Sequence, residues 1–178
     1  MASWSRISDQ QNSRARAPHG VAILSVREGI DFGTQVTTDS APLHRLVSAM
    51  LAVDTDSAAV HALRDPTRGG LVAAVVEIAR AASVGVELDE AAIPVPDAVF
   101  GLLVSGARST AGGKIVVFVD PAHSDRILDA MRSRPDGIDA ARIGRVVPEH
   151  PGMVVGRTAF GTTRVIEREL GEQLPRIC

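Results

Sequence analysis

The chain contains one cysteine, Cys178, which is the last residue of the printed sequence. The segment that carries it, residues 171–178, includes Gly171 and Pro175, and both residue types interrupt regular structure. Cysteine is the most nucleophilic side chain near neutral pH once its thiol is partly ionised. These features predict a flexible tail whose thiol moves between sites and acts as a catalytic group. Taken alone, a cysteine in this position is more often a residue without a role, so its sequence context has to decide.

A polar turn at residues 64–70, Arg-Asp-Pro-Thr-Arg-Gly-Gly, comes directly before an apolar helical stripe. Adjacent glycines at a helix start let backbone N–H groups approach an anion, and arginine can bind phosphate through two hydrogen bonds. The alternative is a capped helix start, at which Thr67 or Asp65 accepts backbone hydrogen bonds and the arginines pair with local acids. Spacing alone favours this alternative, because the run lacks the Walker A and Gly-x-Gly-x-x-Gly patterns. The candidate nucleotide-binding, phosphate-binding or domain-interface residues of the turn are Arg64, Asp65, Thr67, Arg68, Gly69 and Gly70.

Lys114 is the only lysine in the chain, and it begins an apolar run at residues 114–119. A flexible amine at this place could neutralise a bound phosphate, while a solvated lysine at a strand edge is the competing interpretation. The five histidines have no metal-ligand spacing among themselves or with Cys178. The sequence therefore predicts a possible phosphate contact at Lys114 and no metal site.

Length and composition limit the classes of function. With 178 residues, of which 45% are hydrophobic and 3% aromatic, the chain is expected to form one domain with an aliphatic core. A formal net charge of −2 argues against a nucleic-acid or anionic-membrane surface, and no apolar run approaches the ~18 residues of a membrane span. A single cysteine excludes an internal disulfide and fits a reducing, cytoplasmic compartment. Residues 1–19 are polar and without periodicity, which predicts a disordered amino-terminal tail.

Strand and helix patterns alternate along residues 20–170, and this alternation predicts an α/β (α+β) sandwich, a mixed sheet covered by helices. The near-continuous apolar run at residues 114–119 predicts a strand covered on both faces. Helices are expected from Pro42, from Leu71 and after the start signal Asp120-Pro121, with a weaker one at residues 97–104. The other expected strands are residues 21–25, 84–88, 142–147, 153–157 and 163–167, the last two antiparallel to each other. The apolar stripe of the first helix consists of Leu43, Leu46, Val47, Met50 and Leu51.

Four stretches of the sequence resemble the HypE family, the carbamoyl dehydratases of hydrogenase maturation. They are residues 39–43, 61–71, 84–94 and 171–178, and the closing Pro-Arg-Ile-Cys run is the most specific of them. The family belongs to the PurM-like superfamily, which includes aminoimidazole ribonucleotide synthetase. The resemblance spans about residues 18–178 and corresponds to the carboxy-terminal half of the usual family protein. It implies a PurM-like carboxy-terminal domain at residues 20–170 and a flexible tail that ends in Cys178.

The resemblance also implies a mechanism for the thiol. A partner carbamoyltransferase loads a carbamoyl group onto Cys178, and ATP with Mg²⁺ then phosphorylates the carbamoyl oxygen. Loss of phosphate and of the nitrogen's protons leaves a thiocyanate. Its cyanide passes through an iron-scaffold complex to the iron of a nickel–iron hydrogenase. This chemistry requires an anion-stabilising pocket and a base for the amide proton.

The chain departs from the family pattern in three respects. Most of the family's ATP-binding residues lie in an amino-terminal domain that the resemblance does not include, so this chain alone is expected to be inactive and to need that domain in trans. The family has Asn-Glu-Gly-Lys where this chain has residues 111–114, which places Gly112 at the position of the expected carboxylate. Pro18 stands where the family has the aspartate of a Gly-Asp-His-Gly run, and His19 remains as a further candidate phosphate-binding or interface residue.

Two other functions stay open from the sequence. One is a non-catalytic carrier or interaction module that keeps the fold and the tail without turnover. The other is a different PurM-like ATP-dependent enzyme, such as selenophosphate synthetase or thiamine-monophosphate kinase. The tail that ends in Cys178 weighs against the second of these.

Overall fold

A mixed seven-stranded sheet forms the centre of the computed structural model, which describes residues 2–6, 16–17, 29, 37–38, 41–54, 59–66, 70–94 and 114–167. The strands are β1 (Ala2–Arg6), β2 (Arg16–Ala17), β3 (Thr37–Thr38), β4 (Val60–Arg64), β5 (Gly85–Asp89), β6 (Lys114–Val119), β7 (Ala141–Val147), β8 (Val154–Arg157) and β9 (Thr163–Ile166). The α-helices in the described ranges are α1 (His44–Val53), α2 (Gly70–Ala82) and α3 (Ser124–Arg132). Short 3-10 helices occupy Glu90–Ala92, Pro121–His123 and Pro135–Gly137.

The strands of the large sheet lie in the order β4-β6-β1-β7-β5-β8-β9. Neighbouring strands are antiparallel except for β5 and β8, which run parallel. Strands β2 and β3 form a separate parallel pair. The predicted mixed sheet covered by helices is confirmed, and so is the antiparallel pairing of the last two strands.

Strand β6 is covered on both faces, as its apolar run predicts, because all six of its residues are buried. Side chains alternate between the two faces of a strand. On one face Val116 and Phe118 pack into the core under α2, and on the other Val117 and Val119 pack into the core under α1 and α3. The chain therefore has two apolar layers, one on each side of the sheet.

Helix α1 buries a narrower stripe than the sequence predicts. Leu46 and Met50, one turn apart, are 0% exposed and pack against α3 and β6. Leu51, which the same apolar pattern includes, is 48% exposed. At 100° per residue, position 51 points about 140° away from position 46, so only one of the two leucines can face the sheet.

A buried carboxylate fixes the connection between α1 and β4. Asp54 directly follows α1 and is 5% exposed. Its two side-chain oxygens accept hydrogen bonds from the backbone N–H groups of Ala59 and Val60, at 3.1 and 3.2 Å. These bonds satisfy donors at the start of β4 that would otherwise be buried without partners.

The predicted disordered tail at residues 1–19 is wrong for the residues that form β1. Strand β1 lies inside the sheet, where its backbone pairs antiparallel with β6 on one side and β7 on the other. The polar composition of a segment indicates that its side chains do not favour burial. It does not prevent strand pairing, because every residue except proline has a backbone N–H donor and a carbonyl acceptor that can join a β-ladder. The backbone of β1 satisfies the facing edges of β6 and β7, which would otherwise be unpaired strand edges. The predicted strand at 21–25, the weak helix at 97–104 and the tail at 171–178 lie outside the described residues, so the boundaries at 20 and 170 stay predictions.

Candidate functional site

Several of the predicted phosphate-site residues lie at one end of the sheet. Arg64, the last residue of β4, is paired with Val116 of β6, and the two strands are antiparallel. Lys114 therefore lies two residues beyond Arg64 in the same direction. Helix α2 begins at Gly70, and Leu71 in its first turn packs in the same core as Val116. The topology thus brings Arg64, Gly70 and Lys114 into one region.

Glycine is required at the start of α2 for a conformational reason. Gly70 is buried and has a φ of +64°, a left-handed conformation that side chains other than glycine rarely adopt. A substitution there would strain the turn before it could affect any ligand. The conformation therefore explains Gly70 whether or not the turn binds an anion.

Arg64 forms an ion pair with an acid of the neighbouring helix. Its Nη2 lies 3.3 Å from Oε2 of Glu77 on α2, and both side chains are about half exposed. This is the contact that the alternative interpretation of residues 64–70 predicts for its arginines. An exposed pair of this kind contributes about 0–1 kcal/mol, so an anionic partner can replace Glu77 at small cost.

Lys114 is buried, in contrast to the solvated lysine that was one of its two interpretations. It is 2% exposed, and it shares the α2 side of β6 with Val116 and Phe118 by strand alternation. A buried ammonium requires polar or charged surroundings to offset desolvation. Its position at the entry of β6 places it at the same sheet end as Arg64.

Asp65 directly follows β4 and is exposed. The other predicted site residues, Thr67, Arg68, Gly69, His19 and Cys178, lie outside the described residues. Gly112, at the position of the family carboxylate, lies outside them as well. Across the described ranges, no three His, Cys, Asp or Glu side chains lie close enough together to hold a metal ion. None of the helices in these ranges has the length and apolar character needed to cross a bilayer.

Sequence reasoning missed a charged concavity on the sheet face that carries α1 and α3. It has a volume of about 350 Å³ and is lined by Glu87, Leu88, Asp89, Arg142, Gly144, Arg145, Val155, Arg157 and Thr163. Arg145 hydrogen-bonds to Glu87 at 2.7 Å, and Arg157 lies 3.5 Å from Asp89. Arg142 hydrogen-bonds to Ser124 and Asp125 of α3.

Each arginine of this concavity is paired with a carboxylate. The concavity is therefore lined by ion pairs and has no strong excess of positive charge that would attract an anion. The alternation of Glu87 and Asp89 with buried residues on β5 is the sequence signal that could have indicated it.

The β8–β9 hairpin is attached to the body of the sheet by a bidentate ion pair. Arg164 of β9 donates from Nε and Nη2 to the two carboxylate oxygens of Glu90, at 2.7 and 2.8 Å. The hydrogen bond to Glu90 raises the pKa of the Arg164 guanidinium above its ordinary value. On its other side, β8 pairs with β5 through a parallel ladder from Val86 to Asp89. The hairpin is therefore held in place along both of its strands.

The turn of this hairpin presents an exposed aromatic ring. Phe160 is 95% exposed, the highest value among the large hydrophobic residues of the described ranges. The backbone N–H of Thr158 donates to the carbonyl of Thr162, that of Gly161 donates to the carbonyl of Thr158, and the two threonine hydroxyls lie 2.7 Å apart. Gly161 has a φ of +78°, which the tight turn requires.

Comparison with known proteins shows similarity along nearly the whole chain. The pattern of the family described as AIR synthase related protein, C-terminal domain, matches residues 13–156. The carbamoyl dehydratase HypE of Cupriavidus necator is 49% identical over 164 residues, which cover 90% of this chain and 46% of that protein. The chain spans about half the length of the curated relatives that it matches.

Two solved structures with the same fold show a HypE protein in complex, one with HypF and one with ATP. In the crystal structure of the HypE–HypF complex, the matched chain has a TM-score of 0.79 and 30% identity, covering 94% of this chain and 52% of that chain. In the crystal structure of HypE in complex with ATP, the TM-score is 0.79 and the identity 33%, covering 99% of this chain and 52% of that chain.

Proposed function

Because the chain belongs to the AIR synthase related protein family, C-terminal domain, and is a HypE homologue, we propose that it acts in the maturation of nickel–iron hydrogenase. The observation that carries the proposal is 49% identity to a carbamoyl dehydratase over 90% of the chain. Identity of this extent includes the whole fold and is not confined to one motif. The proposed role is that of the carboxy-terminal domain of an ATP-dependent carbamoyl dehydratase, working in the cytoplasm.

In this proposal Cys178 is the group on which the cyanide ligand is made. A carbamoyltransferase partner transfers a carbamoyl group to the thiolate, so a sulfur–carbon bond forms as the bond between the carbamoyl carbon and the donor oxygen breaks. Removal of the carbamoyl oxygen and of both nitrogen protons, in sum one water, leaves the thiocyanate. The HypE–HypF complex supports a carbamoyltransferase partner for such a tail. The cyanide then passes to iron held by a scaffold complex.

The described residues do not by themselves fit a complete ATP–Mg²⁺ site. They provide a buried lysine at Lys114, an arginine at Arg64 that is already paired with Glu77, and no cluster of metal ligands. ATP would supply the phosphorylation that turns the carbamoyl oxygen into a leaving group. We assign its binding mainly to an amino-terminal domain, present in cis or in trans. We further assign Arg64, Gly70 and Lys114, at one end of the sheet, to the surface that contacts that domain.

Loading of the tail tests the proposal most directly. The chain is incubated with HypF and carbamoyl phosphate under the conditions that HypF requires, and the product is examined by intact-mass and peptide mass spectrometry. We expect one carbamoyl group per chain, located on Cys178. A chain that stays unmodified, or one that carries the group on another residue, would contradict the proposal.

The chain alone should not hydrolyse ATP above background. The reason is the incomplete set of ATP–Mg²⁺ contacts among the described residues, together with Gly112 at the position of the family carboxylate. Steady-state phosphate release is measured for the carbamoylated chain with ATP and Mg²⁺. A matched sample receives the amino-terminal half of a HypE relative, which should raise the rate.

The outcome of that experiment also distinguishes the two hypotheses for this chain, a domain of an active carbamoyl dehydratase and a non-catalytic carrier module. Loading of Cys178 without turnover, even when the other half is added, would favour the non-catalytic carrier module. Robust phosphate release by the chain alone would show that the incomplete-site interpretation is wrong.

A further inference from the structure

The exposed ring of Phe160 is unusual for the body of a soluble domain. Its side chain is 95% exposed at the hairpin turn, while among the apolar residues of the adjacent strands Val154 and Ile166 are buried and Val165 is 51% exposed. Isolated exposed apolar residues are common, but a fully exposed aromatic ring is one of the residue types that dominate protein–protein interfaces when it fits a pocket on a partner. Phe160 is therefore a candidate anchor residue.

The turn holds the backbone at Phe160 in a defined conformation. Two backbone hydrogen bonds of 2.9 Å and the hydroxyl contact between Thr158 and Thr162 close the turn, and the Arg164–Glu90 pair fixes the strand that leaves it. A ligand group that is already ordered loses less conformational entropy on binding. The hairpin thus has the preorganisation of an interface element and is not a loose loop.

The hairpin is also the last strand pair that the structure describes before Cys178. Eleven residues lie between Ile166, the end of β9, and Cys178. A segment of that length spans at most about 40 Å when fully extended. An interface of ordinary size covers about 800 Å² on each partner, a patch roughly 30 Å across. A protein that receives Cys178 in its active site can therefore contact the hairpin at the same time.

We propose that the β8–β9 turn, with Phe160 as its anchor, is a docking site for the carbamoyltransferase that loads Cys178. This inference rests on the proposed function and deepens it by assigning a surface to that partner. The partner is expected to offer an apolar pocket the size of a phenyl ring. Docking at the hairpin raises the effective concentration of the tail at the partner's active site, because transfer then occurs within one complex.

The test compares Phe160→Ala with the parent chain. The affinity for HypF is measured by calorimetry in a Cys178→Ser background, where no transfer can occur, and the rate of loading is measured in chains that keep Cys178. We expect Phe160→Ala to weaken binding about tenfold or more and to raise KM by a similar factor. The kcat for loading should stay unchanged, because the thiol and the partner's active site are the same. The thermal unfolding temperature should also stay unchanged, since the ring is 95% exposed.

Two further variants make the test specific. Leu51→Ala removes another exposed apolar side chain, on α1, and should leave Kd and KM unaltered. Gly161→Ala adds a methyl group that meets no atom within 4 Å but strains a turn with a φ of +78°, so it should weaken binding by distorting the turn that presents Phe160. A synthetic peptide of residues 171–178 should be loaded with a KM at least as high as that of Phe160→Ala.

The outcomes distinguish this inference from the proposed function. If the parent chain is loaded and Phe160→Ala or the peptide is loaded with the same KM, the docking site is wrong and the function stands. If saturating HypF loads no carbamoyl group onto the parent chain, the proposed function fails, and the calorimetry decides separately whether the hairpin binds HypF. A Phe160→Ala variant that changes the oligomeric state of the chain, with no change in HypF affinity, would show that the hairpin binds a second copy and would overturn the inference.

Discussion

Cys178→Ser should abolish carbamoyl loading completely while leaving the thermal unfolding temperature of the chain unchanged. Only a thiolate attacks the carbamoyl donor well, and a serine hydroxyl is not ionised near neutral pH. A free cysteine has a pKa of about 8.5, so a few per cent of it is thiolate at pH 7, and the partner's site has to supply any further activation. Intact-mass spectrometry measures the loading, and calorimetry or circular dichroism measures the unfolding.

A relocated thiol provides the control for position. Ser133 is exposed at the end of α3, where its hydroxyl donates to the carbonyl of Ala130. In the Cys178→Ser background, Ser133→Cys restores one thiol to the chain but not to the tail. It should stay unloaded under conditions that load the parent chain completely. Loading at position 133, or a marked loss of stability in Cys178→Ser, would show that the tail is not a dedicated carrier arm.

Leu46→Ala should destabilise the chain by about 2–5 kcal/mol, whereas Leu51→Ala should change its stability by about 0.5 kcal/mol or less. Both leucines belong to α1, but Leu46 is 0% exposed and Leu51 is 48% exposed. Truncation of Leu46 removes contacts with Met50 and the α3 residues of the same core and leaves a cavity. Truncation of Leu51 removes a side chain that is about half exposed to solvent, so it loses little buried apolar contact. Because domains are stable by only about 5–15 kcal/mol, the first change should shift the unfolding midpoint strongly.

Chemical denaturation with urea, followed by circular dichroism, gives both free energies of unfolding under the same conditions. The pair of variants tests whether α1 is packed on the sheet in this chain by itself. Equal effects at the two positions would mean that α1 and α3 do not pack on the sheet when this chain is alone. The fold described above would then be wrong for that face of the sheet.

Local patterns were sufficient for most of the strands and helices. The apolar run of β6 predicted a strand covered on both faces, because such a run can only be buried from both sides. The helical spacing of apolar residues predicted α1 and α2, and the turn residues between the last strands predicted the β8–β9 hairpin. Each of these signals lies within about fifteen consecutive residues. The resemblance of four separate stretches, with the closing run as the most specific, predicted similarity to HypE, and curated HypE relatives are up to 49% identical to the chain.

The tertiary structure decided features that depend on residues far apart in the sequence. Composition predicted a disordered start of the chain, but β1 pairs with β6 and β7, more than a hundred residues away. Lys114 is 2% exposed on the face of β6 that also carries Val116 and Phe118, and Arg64 of β4 pairs with Glu77 of α2. The exposure of Phe160 and Leu51 likewise depends on which surfaces their elements leave uncovered. A sequence pattern shows which side chains favour burial, but burial and pairing are set by contacts that form only when distant segments meet.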